Sequence, residues 1–312
     1  MRRPRHLGSV DRMTSLPLRG VSAAGLIAAA ALAGCSLVHD TEQVQCDAAE
    51  DCAARGLPGA CVDHVCVEAQ GAGGQGGGGG GDERWGCLGD VTWPDPQPGV
   101  TVTLRVRFQM ASAGEPIPDD TVVHFCSTLD VTCAAPIAGP LTVEADGSVA
   151  VQIESGTRGY FQLGGPSIMP TLLYFSRPAQ AETLPVEEQP VTIITPPLYQ
   201  SLVSAAGFDD DPERGTLLTV TLDCAGKPSP GVRIESPEDD EGSTPFYFVG
   251  LNPSPNATQT DVSGFAGVLF MAPGTGTVSS YVAADDRWIG ISSFQIRPGT
   301  LTSVSIEPTP SQ

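Results

Sequence analysis

Positive charge is what this sequence has least of. A single lysine, Lys227, occurs in 312 residues, and 36 acidic residues outnumber 16 basic ones, for a formal net charge of −20. Such a surface repels nucleic acid and anionic lipid head groups, which removes nucleic acid from the list of partners. Histidine is nearly as scarce, with His39, His64 and His124 the three that follow the first 34 residues. No HExxH helix and no G-x-S-x-G elbow occurs, so the common zinc-peptidase and serine-hydrolase constellations are missing. Helical periodicity is sparse. The longest uncharged apolar run covers residues 21–34, too short for a spanning helix of ~20 residues. What the chain does have is glycine (37), proline (28) and nine cysteines. Turn-forming residues without helical repeats favour an all-β exported protein.

The first 34 residues read as a targeting segment. Arg2, Arg3, Arg5, Arg12 and Arg19 stand against one acid, Asp11, and the apolar run follows. A basic region followed by ~14 apolar residues is the pattern of a secretory signal. The run closes on Leu32-Ala33-Gly34-Cys35, which resembles the lipobox of bacterial lipoproteins. The resemblance implies cleavage before Cys35, diacylation of its sulfur and attachment to a membrane of the cell envelope, the outer membrane or cell surface before the inner membrane. Acyl chains contribute about 0.8 kcal/mol per buried CH₂, so two or three of them anchor stably. Taking five arginines and Asp11 away leaves 11 basic and 35 acidic residues, a net charge of −24 from Cys35 onward. An exported chain meets an oxidising compartment, and the eight cysteines beyond Cys35 read as four disulfides.

Four of these lie in "CDAAEDCAARGLPGACVDHVC", residues 46–66. Too few apolar residues occur there to build a core, so two disulfides have to hold the segment. A zinc site is the alternative, weakened by the lack of a CxxC knuckle. Three connectivities are open. The segment resembles the short EGF-like cysteine-rich modules of exported bacterial proteins, and that resemblance implies Cys46 with Cys61 and Cys52 with Cys66. "GAGGQGGGGGGDE", residues 71–83, has no strand before it and no helix after it, as a phosphate-binding loop would need. It reads as a flexible leash with an r.m.s. span of roughly 20 Å.

The body begins near residue 84. Its clearest strand is "VTVTLRVRFQM", 100–110, where Val100, Val102, Leu104, Val106, Phe108 and Met110 alternate with polar residues. Further strands are expected at 121–126, 148–153, 159–163, 171–176 and 191–194, and then at 216–223, 231–236, 245–250, 265–271, 277–284, 289–296 and 301–307. Between the two sets, "PPLYQSLVSAAG" at 196–207 has proline at its start and Gly207 at its end, and predicts a short helix wedged between two β-sandwiches. The two strand blocks echo each other: an Asp-Gly-type turn opens a strand in both 144–163 and 260–283. Thr260-Asp261-x-x-Gly264 and "CAGKPSPGV" at 224–232 resemble the turn signatures of carboxypeptidase-regulatory-like and related Ig-like domains, well over 215–312 and loosely over 98–195. That resemblance implies a fold and no activity.

The organisation expected is therefore a signal at 1–34, a lipidated, cysteine-rich module at 35–69, a leash at 70–83, β-sandwich 1 at 84–195, a connecting helix and acidic loop at 196–212, and β-sandwich 2 at 213–312. Within the body, Cys126 and Cys133 enclose six residues and are expected to pair, which leaves Cys87 with Cys224. His124 and Cys126 lie two apart on a strand and share a face, but a thiol in this compartment is oxidised and lost as a nucleophile. The acidic runs 209–213 and 236–242 have adjacent carboxylates without EF-hand spacing and read as solvated loops before calcium sites. Trp85, Trp93, Trp288, Phe246 and Tyr247 could form a glycan platform only if exposed, and alternating strands place most of them in the core. No catalytic residue, cofactor or metal ligand is assigned. The function expected is non-catalytic display of β-sandwiches from a lipid anchor, towards an envelope protein or a polysaccharide. The alternative is an accessory or carbohydrate-binding component of a surface polysaccharide or secretion system.

Overall fold

A computed structural model describes residues 60–62, 65–67, 83–111, 114–180, 190–250 and 252–310. The signal segment, Cys35, the leash, and Cys46 and Cys52 lie outside these residues. Strands β1 (Ala60–Val62) and β2 (Val65–Val67) form a small hairpin with Cys61 opposite Cys66 in the backbone register.

Among the described residues the body is all-β, with one α-helix and a single 3-10 turn at Glu83–Trp85. Its first block holds β3 (Thr101–Met110), β4 (Val122–Ser127), β5 (Ala138–Leu141), β6 (Ser148–Glu154), β7 (Gly159–Gly164), β8 (Thr171–Phe175) and β9 (Val191–Ile193). Helix α1 (Pro196–Ala205) follows. The second block holds β10 (Gly215–Thr221), β11 (Val232–Glu235), β12 (Thr244–Val249), β13 (Asn252–Ser254), β14 (Phe265–Met271), β15 (Gly274–Val282), β16 (Trp288–Ile296) and β17 (Leu301–Ile306). Residues 138–141 and 252–254 are the two body strands that the pattern of apolar residues did not reveal. Both are short terminal strands, and each contains a proline.

The two blocks are joined through a single nine-stranded sheet, in the order β13-β12-β14-β10-β17-β8-β7-β4-β5. The seam is a parallel pairing of β17 with β8, Leu301 opposite Thr171 through Ser305 opposite Phe175. Beside it, β17 also runs parallel to β10. Successive residues of a strand point to opposite faces, and β8 uses both. Leu173 and Phe175 join the first core with β3, β6 and β9, whereas Leu172 and Tyr174 join the second core with β11, β15 and β16. The two three-stranded sheets, β6-β3-β9 and β11-β15-β16, therefore pack on opposite faces of the common sheet. Pro140 on β5 and Pro253 on β13 occupy its outermost strands, where a missing N–H costs no internal ladder bond and blunts pairing with another chain.

Helix α1 is capped by Thr195, whose hydroxyl accepts from the Leu198 N–H at 3.3 Å. Gly207 ends it at φ +86°. Tyr199 and Val203, one turn apart, pack with Phe246, Leu269, Phe270 and Leu301, on the face of the second block away from its core. Met169 is the first block's buried contribution to that cluster. The Tyr199 hydroxyl meets the Thr216 hydroxyl at 2.8 Å, which satisfies both where burial would otherwise penalise them.

The turn signatures act as fasteners. Thr260 donates its hydroxyl to the Ser229 carbonyl at 2.8 Å and accepts from the Val232 N–H at 3.0 Å. Asp261 accepts from the Ser263 N–H at 2.9 Å and from the Gly250 N–H at 2.7 Å. Gly264, at φ +68°, has no room for a Cβ, which would fall 2.8 Å from the Ser229 nitrogen.

Candidate functional site

Two places gather polar or covalent chemistry. The first is where the chain enters the body. Trp85 is 1% exposed and packs with Leu88, Val232, Val282 and Ile289. Cys87 is bonded to Cys224 across a sequence separation of 137, with a Cα–Cα distance of 5.8 Å. The Cys224 N–H donates to the Arg84 carbonyl at 3.0 Å, and Arg287 reaches the Trp85 carbonyl at 3.4 Å. Residues 84–88 precede the first block in sequence, yet the disulfide, the contacts to the Arg84 and Trp85 carbonyls and the packing of Trp85 all go to the second.

The second place is the seam. Tyr160 and Tyr174 stack with ring centres 4.8 Å apart, both buried, and burial pushes the phenols up from their ordinary range. Arg297, in the turn between β16 and β17, reaches across to the first block. It donates to the Gln162 side-chain oxygen at 2.7 Å, the Val131 carbonyl at 2.7 Å and the Tyr160 hydroxyl at 2.9 Å. The Tyr160 hydroxyl donates in turn to the Asp130 carbonyl at 2.8 Å. Asp130 holds the 127–133 loop in place: its carboxylate accepts from the Ala135 N–H at 2.8 Å and from Thr132. Those donors, led by Ala135, pull its carboxyl below the usual range. Cys126 and Cys133 close the same loop with a disulfide.

Next to this bolt lies a groove of about 350 Å³. Thr128, Val131 and Tyr174 come to it from the first block. Glu238, in the β11–β12 loop, Thr275 and Thr277 on β15, and Ser293 and Gln295 on β16 come from the second. In the β15–β16 register Thr275 sits opposite Gln295 and Thr277 opposite Ser293, so these four side chains share a face. Glu238 accepts from the Thr277 N–H at 3.1 Å and the Ser236 hydroxyl at 3.0 Å. The Gln295 side-chain oxygen is buried and has no hydrogen-bond partner among the described residues. Of the residues singled out from sequence, Glu238 of the 236–242 acidic run lines this groove. It is assembled by a parallel pairing of strands 130 residues apart, which leaves no local trace.

The remaining candidates are placed as follows. His124, on β4, pairs in register with Gln162 on β7, and Cys126 is in a disulfide, so Cys126 offers no free thiol beside it. Trp85, Phe246 and Tyr247 are buried. Trp93 and Trp288 are half-buried, Trp93 lying under the Arg158 guanidinium at 5.7 Å. Within 236–242, Asp240 is paired with Arg214, which also donates to the Phe270 carbonyl. Burial, then the neighbouring Glu238 and Asp240, push Asp239 up. Asp211 is occupied by the Glu213 N–H at 3.1 Å. Among the described residues no group of three or more His, Cys, Asp or Glu is placed to hold a metal ion, and no helix is long and apolar enough to cross a membrane. His39 and His64 lie outside the described residues, as does the pairing of Cys46, Cys52, Cys61 and Cys66.

No family model and no curated protein matches the chain. Among solved structures, a shaft pilin of Lactobacillus rhamnosus GG is similar at 13% identity, over 68% of this chain and 99% of the pilin, with a TM-score of 0.21. The minor pilin of Streptococcus agalactiae is similar at 14% identity, over 68% and 98%, with a TM-score of 0.21. A family-26 carbohydrate-binding module of Eubacterium rectale, solved with maltoheptaose, is similar at 10% identity, over 68% and 99%, again at 0.21. Scores this low lie far from a shared overall structure and assign this chain no role.

Proposed function

We propose that this protein is a lipid-anchored, non-catalytic component of a bacterial cell envelope that displays a rigid β body outside the cytoplasm. The observation that carries the reading is the way the two blocks are made one. A single nine-stranded sheet runs through both, Arg297 bolts one to the other, and a disulfide ties the start of the body to its second half. Two freely jointed modules would suit reach and adaptability. A fused body holds a surface at fixed geometry. The lipobox-like Leu32–Cys35 and the glycine leash supply attachment and stand-off.

The test has two parts. Cells fed an alkyne-tagged fatty acid should label the wild-type chain, whereas the Cys35→Ala chain should carry no label and leave the membrane fraction. Protease applied to intact cells should cut within 71–83 and release an intact 84–312 body. Lipid-free wild-type protein overturns the anchoring. Release only after the outer membrane is opened places the body in the periplasm and overturns surface display.

A further inference from the structure

We propose that the groove at the seam binds a neutral saccharide. This rests on the non-catalytic display role above and adds a ligand class to it. Three hydroxyls, on Thr275, Thr277 and Ser293, line one stretch of the groove, and none has a hydrogen-bond partner among the described residues. A hydroxyl both donates and accepts, and the group that answers it in both senses is another hydroxyl. The Gln295 side chain lines the groove, but its unpaired oxygen is closed off from solvent, so the three hydroxyls and Glu238 are what a ligand would meet. Glu238 keeps one carboxylate oxygen on the Thr277 N–H and the Ser236 hydroxyl, and its other oxygen accepts no hydrogen bond among the described residues. A carboxylate acceptor spans adjacent hydroxyls well.

Charge narrows the class further. Among the described residues no lysine or arginine lines the groove. The nearby Arg297 guanidinium is committed to Gln162, Val131 and Tyr160. Glu238, Asp239 and Asp240 follow one another in the adjoining loop, so an anionic sugar would meet repulsion without compensation. Val131, exposed at the groove, gives one wall an apolar surface for the C–H face of a ring. At about 350 Å³ the groove is at the small end of ligand-sized clefts, so it takes one or two sugar rings rather than a long chain laid flat.

The experiment uses the full chain in detergent. Ligand-observed NMR and calorimetry would be run against neutral gluco-, galacto- and manno-oligosaccharides, neutral polysaccharides of the same sugars, and the anionic oligosaccharides of alginate and hyaluronan. Binding of a neutral oligosaccharide with a dissociation constant near 1 mM or tighter is expected, about −4 kcal/mol. Ser293→Trp, a change at an exposed strand position that fills the groove, should weaken it by at least about tenfold, or 1.4 kcal/mol, without changing the melting temperature. Gln295→Ala serves as the second variant should the tryptophan disturb folding. Absence of neutral-saccharide binding, a preference for the anionic sugars, or undiminished binding by both variants overturns the proposal. Binding to polysaccharide and not to its oligomers would also overturn it, since the groove takes only short units. The Cys35→Ala chain should bind the same sugar equally well, so failure of the lipid anchor and failure of the groove are read separately.

Discussion

Removing the two body disulfides one at a time should separate their stabilities by loop length. The Cys87–Cys224 bond closes a sequence separation of 137 and the Cys126–Cys133 bond one of 7. In the chain-entropy account a cross-link restricts the unfolded ensemble as 2.1 + 1.5R ln n cal/mol/K, which gives about 5 kcal/mol for the long loop and about 2.4 kcal/mol for the short one at 25 °C. For a body of this size each kcal/mol moves the melting temperature by roughly 2–4 °C. Cys87→Ser with Cys224→Ser should therefore lower it by about 10–20 °C, and Cys126→Ser with Cys133→Ser by about 5–10 °C. Scanning calorimetry of the two double variants, with urea melts as a second readout, decides the matter. A long-loop variant that loses no more stability than the short-loop variant refutes the reasoning. It would mean that the Cys87–Cys224 loop is already restricted in the unfolded chain, or that residues 84–88 release without unfolding the rest.

Other perturbations follow from the same structure. Trp85→Ala empties a site enclosed by Leu88, Val232, Val282 and Ile289 and should cost about 3–5 kcal/mol in a urea melt. A loss under about 1 kcal/mol would show the 84–88 segment to be a loose flap. Glu307 is mostly buried, and that burial raises its carboxyl above the usual range, although Arg177 at 3.7 Å pulls the other way. A raised folded-state value means the protonated form is favoured in the fold. Its contribution to stability is complete below the unfolded carboxyl's range and is lost as pH rises through the folded value. Compared with wild type, Glu307→Gln should show a flatter stability profile on going up from pH 4. Parallel profiles for the two proteins would contradict it.

The body strands were legible because their residues alternate. Val102 through Met110 fall buried on β3 as the pattern requires, although Val100 stays 36% exposed just before the strand. Pro196 and Gly207 mark the ends of α1 in the sequence, but the Thr195 cap and the buried anchor Tyr199 carry no such mark, because a tyrosine among leucines reads as surface. The seam was hidden in plain view. "TLLYF" is apolar at nearly every position, the mark of a strand covered on both faces and of parallel neighbours, but a single short run does not say which distant strand lies beside it. The groove inherits that blindness. Its hydroxyls are ordinary threonines and serines on a strand, and only the register of β15 with β16, and of β17 with β8, puts them next to Thr128 and Tyr174.

The Cys87–Cys224 bond also determines how the body would bear tension. A pull travelling along the backbone from residue 83 to residue 310 meets Cys87, crosses the sulfur bridge and continues from Cys224. Residues 88–223, with all of β3 to β10, hang on this line as a closed side loop and carry none of the load through their own backbone. The first block, with β10, then behaves as cargo clipped to a rope whose working length is β11 to β17. Stretching by flow or by a moving neighbour would have to tear β11 to β17 before the disulfide-closed 127–133 loop, on the unloaded side, lost its shape.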